Sequence, residues 1–445
     1  MKTDYKTKSR KLSADFSQKL SEFLAPLILQ LDARIDRRLV RTLVRLIHTI
    51  LIFRHQTHGL LLSELGGYLL SPAQAPAGTK RISNLLRSRK WGFDIIAQFL
   101  WQQGEAAVAA IAAADKTPLC LWDESVLEKS ESVAIEGLCA VKSSKAARLK
   151  RIKPGFFNPP SRPIFVPGMN WLMLMIVGPQ QGLTLTAMKW WTTRGLLKTS
   201  KRTLETQLLA DCARRWGNRV VHVWDRGFAG TPWLAAASDH ALRFVLRWQK
   251  KYKLTDRHGE QRLAWKITGG KRSLDHRLIW DARRGCYRQT GIYFTQVFHE
   301  ASATPLYLVV SRPGKGRTPW YLLTSESVTT VDDAWNIVFF YARRWQIEMG
   351  FRLAKSELAF ESPRLWAWQN RLKLLLIASL ALAFLFSLLQ MLPADSLHDF
   401  LRIWCHRTGK RHRNVSMPLY RLRSALSRLW LFYPPPTFSF VRNSG

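Results

Sequence analysis

The sequence predicts an α/β fold that is preceded by a helical segment and interrupted by a β-rich insertion. Apolar residues recur every three or four positions over residues 12–70, which predicts amphipathic helices at the start of the chain. From about residue 117 the pattern changes to short apolar runs mixed with helical stretches, which is typical of a sheet packed against helices. Residues 250–325 are rich in alternating runs and glycine-containing turns, and this predicts the inserted strands.

The individual elements follow in order along the chain. Two apolar stripes, beginning at Phe16 and Ile35, predict the first helices, and a basic helix is predicted at 79–90. These helices resemble a small DNA-binding module of the helix-turn-helix kind. Further elements are predicted strands at 117–123, 170–177, 183–190, 219–225 and 242–248, and predicted helices at 206–216 and 331–358.

An apolar run at 374–389 is the one candidate for a membrane span. Its sixteen residues fall short of the roughly 20 that a bilayer requires. The run contains Ser379 and Ser387 and follows an amphipathic helical stretch. We therefore expect a buried core helix and no membrane association.

Charge gives the first indication of a partner. The 445 residues include 68 Lys plus Arg against 31 Asp plus Glu, a formal net charge of +37. Self-repulsion of this size favours a polyanionic partner, and we interpret it as nucleic acid in preference to an anionic membrane or a solubility surface. The hydrophobic fraction of 47% excludes a wholly disordered chain.

Cysteine usage and the N-terminus indicate the compartment. The five cysteines are scattered without a CxxC pair, which gives no support to a zinc ribbon or a disulfide framework. The basic start of the chain is not followed by the apolar stretch of a signal peptide. We expect a cytoplasmic protein.

Three acidic residues stand at positions suited to metal-dependent chemistry. Asp123 and Asp225 end predicted strands, and Glu348 lies within the predicted helix 331–358. Carboxylates are the preferred protein ligands of Mg²⁺, with Mn²⁺ as a substitute, and two such ions can catalyse phosphodiester chemistry. Glu124 and Glu128 lie close to Asp123 and stay open as the first acid, although Asp123 is favoured because it ends the strand.

The residues around Glu348 form a longer pattern. Tyr341, Arg344, Glu348 and Lys355 lie at offsets of 0, 3, 7 and 14, which places them on one face of a helix. Such a face would present a carboxylate for metal beside cations for phosphates. The alternative is an exposed helix with ion pairs from Glu348 to Arg344 and Arg352.

This Y-x2-R-x3-E-x6-K pattern resembles the signature of the IS4-type DDE transposases. Residues 224–230 (Trp-Asp-Arg-Gly-Phe-Ala-Gly) and 121–125 (Leu-Trp-Asp-Glu-Ser) resemble the second-acid and first-acid motifs of that family. The resemblance covers about residues 115–395. It leaves the role of Phe228 open, because some relatives have other residues after the second acid.

The resemblance implies an RNase H-like catalytic core that holds two Mg²⁺ ions on Asp123, Asp225 and Glu348. It implies hydrolysis at transposon ends, followed by attack of the freed 3′-OH on target DNA, by a protein that is a homodimer in the DNA complex. Tyr341, Arg344 and Lys355 match family positions that contact DNA near the cleaved end, and Arg226 is a further candidate. Some relatives excise through a DNA hairpin and stack a flipped base on an insertion tryptophan. The candidates for that tryptophan are Trp248, Trp265, Trp280 and Trp320.

A basic segment from Lys142 to Arg162 contains no acidic residue and is expected to form an ordered loop over DNA. The phosphate contacts predicted in it are Lys142, Lys145, Arg148, Lys150, Arg151 and Lys153.

Together these features predict a DNA-cleaving and DNA-joining enzyme whose partners are transposon ends and target DNA. A catalytically silent DNA-binding protein and another RNase H-like nuclease are the alternatives. The predicted segments are a helical DNA-binding domain (1–110), the first part of the core (111–250), the β-rich insertion (251–325), the second part of the core (326–395) and a basic C-terminal segment (396–445).

Overall fold

The computed structural model describes most of the chain. The described residues are 2–53, 58–129, 132, 134–149, 161–178, 182–281, 286–314, 317–405 and 419–435.

Helices occupy the N-terminal quarter, the C-terminal quarter and the connections between strands. They are α1 (Lys2–Asp32), α2 (Arg37–Ile52), α3 (Leu62–Leu69), α4 (Ala75–Arg87), α5 (Phe93–Ala113), α6 (Ser144–Leu149), α7 (Lys201–Trp216), α8 (Thr231–Asp239), α9 (Ala264–Thr268), α10 (Val331–Arg343), α11 (Trp345–Ser356), α12 (Trp368–Met391), α13 (Ala394–Trp404) and α14 (Leu419–Phe432).

The strands alternate with these helices in the middle of the chain. They are β1 (Leu119–Glu128), β2 (Cys139–Lys142), β3 (Phe165–Val177), β4 (Leu183–Trp191), β5 (Val221–Trp224), β6 (Arg243–Arg247), β7 (Lys253–Thr255), β8 (Gln261–Leu263), β9 (Asp275–Asp281), β10 (Cys286–Val297), β11 (Leu306–Arg312) and β12 (Trp320–Thr324).

Ten of the described strands form one mixed sheet. Its order is β2-β3-β1-β5-β6-β12-β11-β10-β9, and β4 pairs with β3. The β1–β5 and β5–β6 pairs are parallel, whereas β3 is antiparallel to both β1 and β4. The α/β class predicted from the sequence is therefore confirmed.

The strands of the predicted insertion continue the main sheet. Strand β12 pairs antiparallel with β6, and β11, β10 and β9 follow it outward. Only β7 and β8 pair apart from it, as a two-stranded sheet within the described residues. These strands thus lengthen the sheet on the side of β6.

Each face of the sheet is covered by helices, because side chains alternate along the strands and both sets are apolar. Leu121, Val223 and Val245 belong to a core shared with the helices of the N- and C-terminal quarters. Their neighbours on the other face, such as Trp122 and Trp224, belong to a second core with α7 and α8. Charged residues that follow the strands can therefore face either helical layer.

Helix α12 is the centre of the first core. Among the described residues it is the one helix long and apolar enough to cross a membrane, with a mean hydropathy of 2.5 in its most apolar window. Of that window, 89% is buried inside the protein. The buried core helix predicted for 374–389 is confirmed.

The single helix predicted at 331–358 is wrong in one respect. It starts as expected, with a capping box between Thr330 and Asp333. Helix α10 ends at Arg343 and α11 begins at Trp345, although the backbone of the intervening Arg344 keeps helical dihedral angles. Arg344 thus lies between the two helices, and Glu348 lies in the first turn of α11.

Candidate active site

The carboxyl ends of three parallel strands meet at one edge of the sheet, and each supplies a charged residue. The β1–β5 pairing ends at Leu121 and the β5–β6 pairing ends at Trp224. Asp123, Asp225 and Arg247 follow at this edge. Since side chains alternate along a strand, all three face the layer that contains α10 and α11.

The prediction that Asp123 ends its strand is wrong. Strand β1 continues to Glu128, and the whole of that extension pairs with β3. What ends at Leu121 is the pairing with β5. That pairing stops because β5 ends at Trp224, and the Asp123 side chain faces Arg344.

Asp225 is held by the turn that follows β5. Its Oδ1 accepts a hydrogen bond of 2.6 Å from the backbone N–H of Gly227. A Cβ at Gly227 would lie 2.9 Å from that same oxygen, so a larger residue would crowd the contact. Arg226 in this turn is exposed. Phe228, whose role the sequence left open, is buried against Trp224 and Trp233.

Glu348 is placed by the packing of α11 on the sheet. Gly350 faces β3, where its Cβ position lies 3.3 Å from the sulfur atoms of Met173 and Met175. Phe351 packs edge-on against Trp171, with 4.6 Å between ring centroids. This close approach brings the first turn of α11 beside β1. Glu348 itself keeps 45% of its side chain exposed.

Arg344 lies between two of the three acids. Its Nη1 donates to Asp123 Oδ2 at 3.0 Å, and its Nη2 donates to Glu348 Oε1. The Arg344 side chain is only 16% exposed, so water screens these ion pairs weakly. Arg344 therefore links Glu348 on α11 to Asp123 on β1.

The three acids influence one another electrostatically. The pKa of Asp123 is raised to about 7, chiefly because the carboxyl is buried, and the charges of Asp225 and Glu348 raise it further. Arg344 and the backbone N–H of Glu124 act against this rise. Burial lowers the pKa of Arg344, but the charges of Asp123, Tyr341 and Glu348 outweigh it and raise the pKa above the ordinary arginine value. A site that accumulates negative charge in this way favours a bound cation.

Tyr341 closes the site on the side of β6. Its ring packs edge-on against Trp320 with 5.0 Å between centroids, and the residue is buried. Burial raises the pKa of the Tyr341 hydroxyl, while Arg344 and a hydrogen bond from Arg247 lower it. The hydroxyl thus lies within reach of two cations and of Asp225.

Arg247 is the functional candidate that sequence reasoning missed. It ends β6 next to Asp225, on the same face, and it donates to Tyr341. Its sequence context, Leu-Arg-Trp, carries no motif. The signal that could have found it is its place at the end of the third parallel strand.

Glu124 and Glu128, the alternative first acids, have other partners. Glu124 faces α7, where Lys201 Nζ lies 2.5 Å from its Oε1. Glu128 accepts hydrogen bonds from the hydroxyls of Ser143 and Ser144 and from the backbone N–H of Ser144 at the start of α6. Neither carboxylate points toward Asp225, so the geometry favours Asp123.

A second group of metal-ligating residues lies on the opposite face. Cys120, Cys212 and His222 are buried, and among the described residues theirs is the one trio whose ligand atoms all lie within 4.8 Å. Trp122 Nε1 donates to His222 Nδ1 at 3.0 Å. An indole N–H only donates, so Nε2 carries the imidazole proton and is not free to bind metal. The hard oxygen ligands around Arg344 fit Mg²⁺ better.

The remaining predicted DNA contacts lie around this edge or outside the described residues. Lys355 is half-buried on α11, and Lys142 is exposed at the end of β2. Lys145 is 60% exposed and pairs with Glu361 at 2.9 Å. Arg148 lies on α6, whose backbone alone is described there, and Lys150, Arg151 and Lys153 lie outside the described residues.

The four tryptophans proposed for base stacking differ in how exposed their side chains are. Trp248 is buried, and Trp320 packs on Tyr341. Trp265 and Trp280 are 43% and 53% exposed. Stacking on a flipped base requires an accessible ring, which restricts the candidates to the exposed pair.

The segment that contains most of the candidate site residues is similar to a known protein family. Residues 187–384 match the family described as Transposase DDE domain. The matched segment contains Asp225, Glu348 and the Tyr341–Lys355 pattern, whereas Asp123 precedes it. The resemblance to DDE transposases is confirmed at the level of this domain.

No match was found among curated proteins. Among solved structures, the chain is similar to one described as the cryo-EM structure of piggyBac transposase synaptic complex with hairpin DNA. That similarity has 12% sequence identity and a TM-score of 0.43, and it covers 96% of this chain and 82% of the other.

Glu128→Gln tests how the basic segment after β2 is anchored. The amide cannot accept every hydrogen bond that the carboxylate receives from Ser143, Ser144 and Lys145. We expect the free energy of unfolding at pH 7 to fall by about 1–3 kcal/mol. Burial raises the pKa of Glu128, but these hydrogen bonds outweigh it and hold the pKa below the ordinary glutamate value.

A carboxyl group whose pKa is lower in the folded than in the unfolded state stabilises the protein at pH values above its unfolded-state pKa. This stabilisation is lost as the pH falls through the folded-state pKa. The measurement is denaturant unfolding at pH 7 and at about pH 3, which is below the ordinary glutamate pKa of about 4.3. The difference in the free energy of unfolding between Glu128→Gln and the unaltered protein should be smaller at the acidic pH. A difference that does not change with pH would show that the carboxylate charge is not what anchors the segment.

Proposed function

We propose that this protein is an IS4-type DDE transposase that cleaves DNA at the ends of an insertion sequence and joins the 3′-OH to target DNA. The observation that carries the proposal is the convergence of Asp123, Asp225 and Glu348 at one edge of the sheet, with Arg344 bridging two of them. The match of residues 187–384 to transposase DDE domains supports the same function. The order β4-β3-β1-β5-β6, with three parallel strands at one end, supports an RNase H-like core.

In this proposal the three carboxylates hold Mg²⁺, for which Mn²⁺ substitutes. When bound, the metal activates the attacking oxygen and stabilises the leaving oxygen of the phosphodiester. The strands fix Asp123 and Asp225, and α11 carries Glu348. Arg226, Arg247 and Lys355 surround the acids with positive charge for DNA phosphates, and Tyr341 positions Arg247.

The proposed partners are duplex DNA of the element ends and target DNA, bound by a homodimer in the bacterial cytoplasm and at the nucleoid. The net charge of +37 supports a polyanionic partner. If excision proceeds through a DNA hairpin, the exposure of Trp265 and Trp280 favours those rings for stacking on a displaced base.

The test is cleavage of a labelled duplex that carries the DNA flanking the gene, with Mg²⁺ or with EDTA. We expect nicking at the element end by the unaltered protein with Mg²⁺, and none with EDTA or with Asp225→Ala. Specific binding without cleavage under any divalent metal would instead support the catalytically silent DNA-binding protein. Cleavage that persists in Asp225→Ala would exclude Asp225 from the site.

A further inference from the structure

The β4–α7 loop (residues 192–200) carries the most exposed large apolar side chain among the described residues. Leu196 lies at its tip with a relative exposure of 107%, and the next most exposed such side chain, Phe432, reaches 74%. Leu197, the following residue, packs against the first core. The chain therefore turns one leucine inward and the other toward solvent.

Hydrogen bonds within the β4–α7 loop fix this arrangement. The N–H of Thr199 donates to the carbonyl of Thr192 at 2.9 Å and closes the loop at its base. The N–H of Lys198 donates to the carbonyl of Gly195 at 3.1 Å. Gly195 has a φ of 69°, a conformation that glycine adopts readily. Leu196 is thus held outward by an ordered turn.

The charges around Leu196 are all positive. Every charged residue between positions 192 and 204 is basic, namely Arg194, Lys198, Lys201 and Arg202. Arg194 and Lys198 stand two positions to either side of Leu196, both are exposed, and neither forms an ion pair with a described carboxylate. A lone exposed leucine is common on protein surfaces. A leucine between two cations that are not neutralised favours a ligand with anionic groups outside and an apolar interior.

The sheet places this loop at the edge that holds the acids. Trp191 ends β4 opposite Asn170 of β3, and Asn170 in turn pairs with Val126 of β1. Val126 lies three residues beyond Asp123 in the same strand. Because β4 and β1 are both antiparallel to β3, they run in the same direction and end at the same edge. The β4–α7 loop therefore leaves the sheet where Asp123 and Asp225 lie.

Contacts of Lys201 hold the far end of the loop to the surroundings of the acids. In the first turn of α7, Lys201 Nζ lies 2.5 Å from Oε1 of Glu124 on β1 and 3.5 Å from Oε1 of Glu205. Glu205 is only 1% exposed, so water screens that pair weakly. The same Nζ lies 5.4 Å from the centre of the Phe228 ring, in the turn that holds Asp225. The loop is thus anchored at both of its ends.

We propose that Leu196 inserts between base pairs of duplex DNA beside the acids, while Arg194 and Lys198 bind the phosphates on either side. Leucine is among the side chains that proteins wedge between base steps, which unstacks the bases and kinks the duplex. DNA offers the phosphates that the two cations require and an apolar interior between stacked bases for the leucine. This role rests on the proposed function, because it takes DNA as the substrate of the acids. It requires neither a hairpin nor a tryptophan.

The first measurement is the fluorescence of 2-aminopurine, which rises when the base is unstacked. The probe is placed at successive steps of the duplex used for the cleavage test, and the full-length protein is bound to it in EDTA. We expect the unaltered protein to raise the fluorescence at one step, and Leu196→Ala to bind the duplex without raising it. The double variant Arg194→Ala/Lys198→Ala should lower the slope of log affinity against log salt by about 0.9 per lost phosphate contact.

Single-turnover cleavage with Mg²⁺ separates a wedge from an ordinary contact. Leu196→Ala should cleave the fully paired duplex about 10- to 100-fold more slowly than the unaltered protein, because the leucine no longer offsets the cost of unstacking. On a duplex that is mismatched at that step, the variant should cleave nearly as fast as the unaltered protein, because a mismatch unstacks at lower cost. Leu196→Met keeps an apolar wedge and should cleave both duplexes like the unaltered protein.

The matched control is Leu29→Ala, because Leu29 on α1 is also a highly exposed leucine, and it should change neither fluorescence nor cleavage. Thermal unfolding of each variant checks the fold. Equal slowing of Leu196→Ala on paired and mismatched duplexes would overturn the wedge, as would fluorescence that Leu196→Ala leaves unchanged. If the unaltered protein unstacks the duplex through Leu196 in EDTA but cleaves it with no divalent metal, the wedge stands and the proposed function fails.

Cleavage of both duplexes by Leu196→Ala at the rate of the unaltered protein would have the opposite meaning. The wedge would then be overturned and the proposed function would remain. The two failures are therefore distinguishable.

Discussion

Glu348→Gln should abolish cleavage at the element end while leaving DNA binding nearly unchanged. Glutamine has the same length but carries no charge, so the site loses one of the three carboxylates available to a cation. We expect cleavage to fall by at least about a thousandfold, which corresponds to about 4 kcal/mol of activation free energy. The packing of α11 should survive, because Gly350 and Phe351 face the sheet whereas Glu348 is 45% exposed.

The measurement is single-turnover cleavage with Mg²⁺, beside a gel-shift titration in EDTA. Glu260→Gln is the matched control, because Glu260 is also an exposed glutamate paired with an arginine, in the turn between β7 and β8. The control should cleave like the unaltered protein. Loss of DNA binding in Glu348→Gln to the same extent as cleavage would count against Glu348 as a ligand-holding acid.

The sequence predicted the acids because each lies in a local pattern. An apolar run that ends in an acid marks Asp225, and helical spacing marks Glu348 and its flanking cations. The same reasoning selected Asp123 because it was expected to end its strand, but β1 continues beyond it to Glu128. Local periodicity cannot show that β1 loses one neighbour at Leu121 while keeping the other, because strand pairing is a long-range property.

Arg247 and Glu128 could not be assigned from the sequence for the same physical reason. Arg247 acquires a role because β5 and β6 are neighbours in the sheet and Tyr341 packs above them. Glu128 was a candidate metal ligand by proximity to Asp123 in sequence. It lies five residues further along an extended strand, and its carboxylate instead caps the start of α6.

The position of the inserted strands also depends on distant pairing. Alternating runs at 250–325 predict strands correctly, but only the contact of Leu322, Leu323 and Thr324 with β6 shows that they extend the existing sheet. One consequence is that Trp320 of β12 packs on Tyr341 at the candidate site. Strand β12 thereby contributes directly to the surroundings of the acids.

Arg344→Gln should tighten metal binding in the absence of DNA. In the structure the Arg344 guanidinium occupies the space between Asp123 and Glu348 and neutralises part of their charge. A divalent cation must compete with that charge: at about 4 Å and an effective dielectric of 20, a unit charge contributes up to about 4 kcal/mol of repulsion for each unit of charge on the metal, or about 8 kcal/mol for a divalent ion. Even part of this repulsion predicts affinity for Mn²⁺ that is higher by about tenfold or more.

The same substitution should lower stability when no metal is present. Asp123 and Glu348 lose their shared partner, and the pKa of Asp123, which Arg344 lowers, should rise further. We expect the free energy of unfolding in EDTA to fall by about 1–3 kcal/mol. Adding Mg²⁺ should raise the free energy of unfolding of Arg344→Gln by more than it raises that of the unaltered protein. The reason is that a ligand that binds only the native state stabilises it, and the variant is expected to bind the metal more tightly.

Arg243→Gln separates these effects from the general loss of an ion pair. Arg243 pairs with Glu326 at the other end of β6, so its removal should lower stability without changing Mn²⁺ affinity. Calorimetric titration with Mn²⁺ and thermal unfolding with and without Mg²⁺ supply both readouts. Weaker Mn²⁺ binding in Arg344→Gln would mean that Arg344 organises the carboxylates for metal. Tighter binding with reduced cleavage would mean that Arg344 competes with the metal until a DNA phosphate draws its guanidinium away from the acids.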